Sequence, residues 1–309
     1  MSVQIMIGPQ TPHPNLASAL EQVSFEGPIV TITAGWQDSE GEVEELQNDI
    51  GRPVQDLGLY HLAETVCARE PQLLELKRER QYKLKALQKL YRIRLEATLS
   101  AARTLLNSDG DAELLRLEQR AAITQVRALD RHHLKRIAAI HEDFATRRSQ
   151  MELPFATSKR NEIWQRVQDA GLILVAGGHV AVLLNRIRLF RLEPLLADKP
   201  IIAWSAGAMV LGERIVLFHD NAPQGRRNAE VLDSGLGIVP KLVPLPHAKT
   251  RLDWSIPTRM ALFARRFAPS RCCTLDFGSL IRTENGIITA AKDSSVMKRT
   301  GGKKRLVAK

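Results

Sequence analysis

The chain has little cysteine and no long apolar run. Its 309 residues include three cysteines, Cys67, Cys272 and Cys273. An odd, sparse set with two adjacent members supplies neither a disulfide framework nor metal-ligand spacing, so we expect a reducing cytoplasm and no metal. No apolar run approaches the ~18 residues of a membrane helix, and the N-terminus lacks the basic start and apolar core of a signal peptide. These absences predict a cytoplasmic globular protein without a membrane partner.

The excess of positive charge is concentrated at the C-terminus. The formal net charge is +10, and the last twelve residues, KRTGGKKRLVAK, contain six lysines and arginines and no acidic residue. We therefore predict a basic, disordered tail over residues 293–309. Because more than half of the excess lies on this tail, the net charge does not by itself indicate a nucleic-acid partner.

A long helical segment interrupts the first half of the chain. Residues 1–62 contain short β-like runs, VQIMIG and GPIVTITAGW, which supply opening strands. Residues 70–152 have apolar positions three or four apart and are divided by the turn sequence NSDGD. This pattern predicts an inserted hairpin of two antiparallel helices, a coiled coil that packs on the body or pairs with a second hairpin in a homodimer. The stripe on its second helix comprises Val126, Leu129, His133, Ile137, Ile140 and Phe144.

Strands and helices alternate over residues 161–292. The runs LILVAGG, PIIAW, RIVLF, CCTLDF and GIITAAK are candidate strands, and NEIWQRVQDA and VAVLLNRIRLF are candidate helices. Alternation of this kind is typical of a mostly parallel sheet with helices on both faces. We therefore predict one α/β domain, built from residues 1–62 and 161–292, into which the helical hairpin is inserted.

One serine lies where an α/β protein places a nucleophile. The sequence from Ala203 to Gly207 has the small-x-Ser-x-small form of a nucleophile elbow, the sharp strand-to-helix turn that requires small neighbours. Such a turn puts the Ser205 hydroxyl at the carboxyl end of a strand and aims the N–H groups of the next helix at developing negative charge. The alternative is a serine that only caps a helix.

A nucleophilic serine needs a base, an orienting acid and donors for the oxyanion. His247 follows an apolar run that could end at the same sheet edge, and His219 competes with it. The nearby acids are Asp220, Glu213 and, more distantly, Asp253, and the residue pattern does not choose among them. One oxyanion donor would be the N–H of Ala206, and a second could come from the Ala-Gly-Gly sequence at residues 176–178.

Three segments resemble the peptidase E and cyanophycinase family of serine peptidases. They are LVAGGHVAVLLNRI, AWSAGAMVLG and LDSGLGIVPKLVPLPHAKTR, and the similarity covers roughly residues 161–290. The resemblance implies a class I glutamine amidotransferase-like fold. A serine-hydrolase mechanism would need no metal or organic cofactor. It implies Ser205 as nucleophile, His247 as base and Asp220 as acid, with Gly178 and Ala206 as oxyanion donors.

The resemblance also bears on the substrate. Relatives cut small aspartyl dipeptides or a β-linked aspartyl-arginine polymer, and both substrates call for basic groups near the site. Where the family usually has an amide residue after the glycine pair, this chain has His179, a candidate for substrate contact. Further candidates are Arg251, Arg226, Arg227 and Lys249.

Two functions of different classes remain. The first is a serine hydrolase that cuts a peptide or isopeptide bond of a small substrate through an acyl-enzyme. The second is a non-catalytic amidotransferase-like scaffold whose hairpin binds a protein partner. Glutamine-dependent ammonia transfer is not expected, because the elbow residue is serine and neither Cys272 nor Cys273 lies in such a turn.

Overall fold

The computed structural model describes residues 2–220 and 227–308. Its strands in chain order are β1 (Val3–Ile7), β2 (Ile29–Ile32), β3 (Val54–Asp56), β4 (Leu172–Val175), β5 (Ile201–Trp204), β6 (Arg214–Leu217), β7 (Glu230–Ser234), β8 (Leu242–Pro246), β9 (Arg271–Leu275), β10 (Leu280–Glu284), β11 (Ile287–Lys292), β12 (Ser295–Met297) and β13 (Lys303–Arg305). Its α-helices are α1 (Leu16–Leu20), α2 (Glu44–Ile50), α3 (Leu59–Arg69), α4 (Pro71–Leu106), α5 (Ala112–Ser149), α6 (Pro154–Asp169), α7 (Val180–Leu189), α8 (Glu193–Ala197), α9 (Ala206–Leu211), α10 (Ala248–Arg251) and α11 (Pro257–Phe267), and a 3₁₀ segment spans Ala34–Ser39.

The main sheet has seven strands in the order β11-β10-β1-β5-β4-β2-β3. The five strands β1, β5, β4, β2 and β3 run parallel to one another, whereas β10 and β11 are antiparallel at one edge. Strand β5 is buried along its length because it lies between β1 and β4. Alternate side chains of β5 enter two different apolar clusters, one on each face of the sheet. The predicted mostly parallel sheet with helices on both faces is confirmed.

Two smaller sheets complete the body. Strands β6 and β7 form an antiparallel pair, so the predicted RIVLF strand lies outside the main sheet. Strands β8 and β9 run parallel, and β12 and β13 extend that sheet. The prediction of a disordered tail over residues 293–309 is therefore wrong for β12 and β13. Main-chain pairing orders this segment, and Leu306 is buried, although the neighbouring side chains are basic.

Helices α4 and α5 form the predicted antiparallel hairpin. Asp111 caps α5 by accepting hydrogen bonds from the N–H groups of Glu113 and Leu114. The apolar stripe of α5 is mostly buried, and Val126 and Leu129 share one apolar cluster with β6, β7, β8 and α11 of the body. The stripe thus packs against its own chain, which removes the argument that it must be covered by a second hairpin. None of the helices in the described ranges combines the length and apolar character needed to cross a membrane.

Candidate active site

Ser205 lies at the carboxyl end of the central strand β5, in the turn that begins α9. Its backbone has φ 50° and ψ −116°, a conformation that non-glycine residues rarely adopt and that is typical of a strained nucleophile elbow. The turn requires a glycine two residues later, because a Cβ at Gly207 would lie 2.1 Å from the carbonyl oxygen of Val175. The Ser205 side chain makes no capping hydrogen bond to α9, so the hydroxyl is not used as a helix cap.

The glycine pair after β4 lies against the elbow. A Cβ at Gly177 would be 3.0 Å from the Cβ of Ser205. Gly178 has φ +95°, and a Cβ there would lie 2.2 Å from the carbonyl oxygen of Gly35, in the 3₁₀ segment that follows β2. Within the described ranges, no atom accepts a hydrogen bond from the Gly178 N–H. The Ala206 N–H belongs to the first turn of α9 and has no intrahelical acceptor.

His247 follows β8 and lines the same cavity as Ser205. Its backbone is left-handed, with φ 57°, and its N–H donates to the carbonyl oxygen of Leu275 at 3.1 Å. The ring is half-buried and meets the ring of Phe277 edge to face, with centroids 6.2 Å apart. In this structure no hydrogen bond joins the described Ser205 hydroxyl to the described His247 ring. Catalytic hydrogen bonds are often long before substrate binds.

Two charges act on the His247 imidazole. Burial holds its pKa below the ordinary value, the Arg251 guanidinium lowers the pKa further, and the Asp276 carboxylate raises it. Asp276 directly follows β9, as His247 follows β8, and the parallel register pairs the last residues of these strands, Pro246 with Leu275. The Asp276 carboxylate also accepts a hydrogen bond from the Lys249 N–H at 2.8 Å. Sequence reasoning missed Asp276, although its position after a candidate strand was a usable signal.

Asp220 is buried, but its carboxylate is bound elsewhere. Its Oδ1 accepts a hydrogen bond from Nε of Arg259, and its Oδ2 accepts one from the Asp253 N–H, both at 2.9 Å. Asp220 is thus engaged by Arg259 and Asp253, whereas the carboxylate that raises the pKa of the His247 ring is that of Asp276. Glu213 lies between α9 and β6 rather than on the elbow helix, and it does not line the cavity around Ser205.

The cavity around Ser205 has a volume of about 830 Å³ and is lined by both acidic and basic side chains. Glu42, Glu45 and Asp49 contribute carboxylates from the segment that contains α2. Arg227 and Arg251 contribute guanidinium groups. Burial lowers the pKa of Arg251, and no carboxylate in the described ranges lies within ion-pair distance of its guanidinium. Arg251 thus presents a positive charge to the cavity beside His247.

The remaining predicted residues are divided between the cavity and other positions. His219 lines the cavity, and its buried Nδ1 has no hydrogen-bond partner among the described residues. His179 lies outside the lining, where its Nδ1 accepts a hydrogen bond from the Val182 N–H and caps α7. Lys249 is exposed and outside the lining. Arg226 falls outside the described residues.

Within residues 2–220 and 227–308, no three His, Cys, Asp or Glu side chains converge as a metal site would require.

The helical hairpin contacts the cavity wall directly. Residues 228–231 comprise the approach to β7 and its first two residues, and Asn228 and Glu230 line the cavity. Arg103 of α4 donates to Oδ1 of Asn228 at 2.8 Å, and Arg92 binds both carboxylate oxygens of Glu230 at 2.6 and 2.9 Å. The Tyr91 hydroxyl accepts a hydrogen bond from the next N–H of the chain, that of residue 231. Side chains of α4 therefore hold this part of the cavity wall in place.

Comparison with known proteins identifies the family of the chain. No curated protein matches the chain. A solved structure described as the crystal structure of a peptidase from an acI-B1 Actinobacterium is 12% identical, with a TM-score of 0.49, and the match covers 100% of this chain and 95% of that chain. The model of peptidase family S51 matches residues 127–290, which is more than half of the chain. Members have the class I glutamine amidotransferase-like fold that the resemblance implied. The chain therefore belongs to peptidase family S51 and is a serine-type peptidase.

Proposed function

We propose that the chain hydrolyses a peptide or isopeptide bond through an acyl-enzyme formed on Ser205. The His247 imidazole removes the hydroxyl proton while Ser205 Oγ attacks the scissile carbonyl carbon, and the proton then passes to the leaving amine as the C–N bond breaks. Water attacks the ester with His247 again acting as base, which releases the acid and the free serine. The observation that carries the proposal is the strained elbow conformation of Ser205, held without a capping role beside the cavity.

The oxyanion would be stabilised by two main-chain donors, the N–H groups of Ala206 and Gly178. Neither N–H donates a hydrogen bond to an acceptor within residues 2–220 and 227–308. Neither would have to break a hydrogen bond to reach the substrate, so the stabilisation would be preorganised. Removal of one such donor in a serine peptidase typically lowers kcat by ~10²–10³-fold.

The group that supports His247 in this proposal is Asp276. Its carboxylate stabilises the imidazolium that forms during attack, because it is the anion whose charge raises the pKa of His247. The Asp220 carboxylate, which the resemblance implied, is assigned to Arg259. Asp276 acts through charge and position rather than by touching the substrate.

The proposed substrate carries a carboxylate close to the scissile bond, as an aspartyl-linked peptide does. Arg251 is the group that would bind it, since its guanidinium is partly desolvated and lies beside the base. Binding of that carboxylate would neutralise the cation that lowers the pKa of His247, so the base would become stronger when a correct substrate is present. His179 is left out because its side chain caps α7.

A fluorophosphonate probe tests the chemistry before any substrate is known. Wild-type protein should be labelled stoichiometrically on Ser205, and Ser205→Ala should fold normally but remain unlabelled. His247→Ala should slow labelling by orders of magnitude, whereas His219→Ala, a histidine of the same cavity, should change it little. Loss of labelling with His219→Ala alone would move the base to that residue. Absence of labelling in wild type would favour the non-catalytic scaffold.

We further propose a homodimer formed by the outer face of α4. Tyr82, Leu90 and Ile93 are 74%, 60% and 63% exposed and recur at spacings that place them on one side of the helix. Light scattering should give twice the 34.5 kDa chain mass for wild type and the monomer mass for Leu90→Glu. Leu114→Glu, an equally exposed leucine near the hairpin turn, is the matched control and should leave the mass unchanged. A monomeric wild type would contradict the proposal.

A further inference from the structure

A second cavity lies between α4 and the wall of the cavity around Ser205, which we call the catalytic cavity. Its volume is about 490 Å³. Its lining includes residues of α4, the segment before β7, the first residue of β7, and one residue of α11. Arg227, Asn228 and Glu230 line both this cavity and the catalytic one. The two cavities therefore adjoin at this three-residue threshold. The lining comprises Arg92, Leu95, Glu96, Arg103, Arg227, Asn228, Glu230 and Arg259.

The second cavity has more arginines than carboxylates. Arg92 pairs with Glu230, Arg103 pairs with Glu96, and Arg259 pairs with a carboxylate behind the wall, that of Asp220. Arg227 is exposed at the threshold, and no carboxylate in the described ranges lies within ion-pair distance of it. The cavity thus offers a surplus of positive charge and guanidinium forks, which match carboxylates in geometry.

The geometry points to a second binding subsite, and it rests on the proposed function. We propose that the second cavity binds carboxylates of an extended acidic peptide whose scissile bond lies at Ser205. A peptide too long for the catalytic cavity would cross the threshold at Arg227 and reach the arginines of α4. The carboxylates of Glu42, Glu45 and Asp49 in the catalytic cavity would repel an acidic segment and favour this exit. The helical hairpin would then contribute directly to substrate choice.

The test compares two synthetic peptides that share the residues around the cleaved bond. One is extended by four Glu and the other by four Gln, and the readout is the ratio of their kcat/KM values for the enzyme. We expect wild type to prefer the Glu-extended peptide by about tenfold or more. Arg103→Gln should lower that ratio by about fivefold, the effect of one partly exposed ion pair, and Arg103→Lys should restore part of it. Arg94→Gln removes the same charge from α4 outside both cavities and should leave the ratio unchanged.

A binding measurement separates failure of the subsite from failure of the catalytic proposal. Fluorescence anisotropy of the labelled Glu-extended peptide on Ser205→Ala protein reports affinity without turnover. Weaker binding in Ser205→Ala/Arg103→Gln than in Ser205→Ala supports the subsite even if turnover is never seen. Equal affinity for the Glu and Gln peptides, or a preference that Arg103→Gln and Arg94→Gln reduce alike, would overturn it. Probe labelling at Ser205 judges the catalytic proposal independently.

Discussion

Replacing Asp220 or Asp276 by asparagine should affect different properties. Asp220→Asn should lower stability and spare activity, whereas Asp276→Asn should lower activity and spare stability. Asp220→Asn takes the charge from an ion pair whose side chains are 3% and 15% exposed and leaves the Arg259 guanidinium without its counterion. Breaking a buried pair at one partner costs about 3–5 kcal/mol. At about 2 °C per kcal/mol for a chain of this size, the Tm should fall by roughly 6–10 °C. The catalytic rate at a temperature well below Tm should change little.

Asp276→Asn should affect the rate and spare the fold. Asp276 is half-buried, and an asparagine Oδ1 can still accept the hydrogen bond from the Lys249 N–H, so the Tm should shift by less than about 2 °C. Loss of the anion removes a charge that favours the imidazolium of His247, and kcat should fall by about 10- to 100-fold, which is 1.4–2.8 kcal/mol. The limb of the kcat/KM profile that reports His247 should move to lower pH, because the group that raises its pKa is gone.

The assay measures Tm, kcat and the pH profile of kcat/KM for both variants beside wild type. Each of the two variants is the matched control for the other, since each removes one carboxylate charge near the same cavity. The reasoning fails if Asp220→Asn abolishes turnover by about 10⁴-fold at unchanged Tm while Asp276→Asn is silent. Asp220 would then be the acid of the triad, as the resemblance implied.

Three further changes test the site and the hairpin separately. Arg251→Gln should move the same pH limb upward, opposite to Asp276→Asn, because the cation that lowers the pKa of His247 is removed; a downward shift would contradict this. Gly207→Ala should abolish labelling or soluble expression, since its Cβ would collide with a carbonyl oxygen of β4; normal activity would show that the elbow is more open than described. Burial lowers the pKa of His133 to about 4, so urea unfolding should show about 2 kcal/mol less stability at pH 5 than at pH 7 from this residue alone, because the unfolded chain binds a proton that the folded chain excludes. His133→Gln should remove that part of the pH dependence, and the exposed neighbour variant His132→Gln should not.

Features that depend on neighbours in the chain could be predicted from the sequence. The elbow at Ser205 is one, because a sharp turn constrains residues two positions away on either side. The buried strands β2 and β5 are another, since continuous apolar runs are typical of parallel strands covered on both faces. The turn at residues 107–111 likewise located the hairpin from local turn chemistry.

Features that depend on tertiary contact could not be predicted in the same way. Asp276 lies near His247 only because β8 and β9 pair in parallel, and the ion pair of Asp220 with Arg259 joins residues 39 apart. The predicted disorder of residues 293–309 failed for the same reason. A count of basic residues does not tell whether the backbone pairs with a neighbouring strand, as it does in β12 and β13. The periodicity of α5 indicated that its stripe is buried, but it could not say that the body covers it.

A buried polar network joins the hairpin to the α/β domain. Arg266 of α11 donates from Nε to Oδ2 of Asp130 at 2.7 Å, from Nη2 to the Tyr91 hydroxyl at 2.7 Å, and from Nη1 to the carbonyl oxygen of Ala229 at 2.6 Å. Ala229 belongs to the wall segment that Arg92 and Arg103 also hold. Removing the hairpin would therefore leave a buried guanidinium without its carboxylate and release the wall of the catalytic cavity. For this reason a variant lacking the hairpin cannot separate dimerisation from catalysis, whereas single substitutions on the outer face of α4 can.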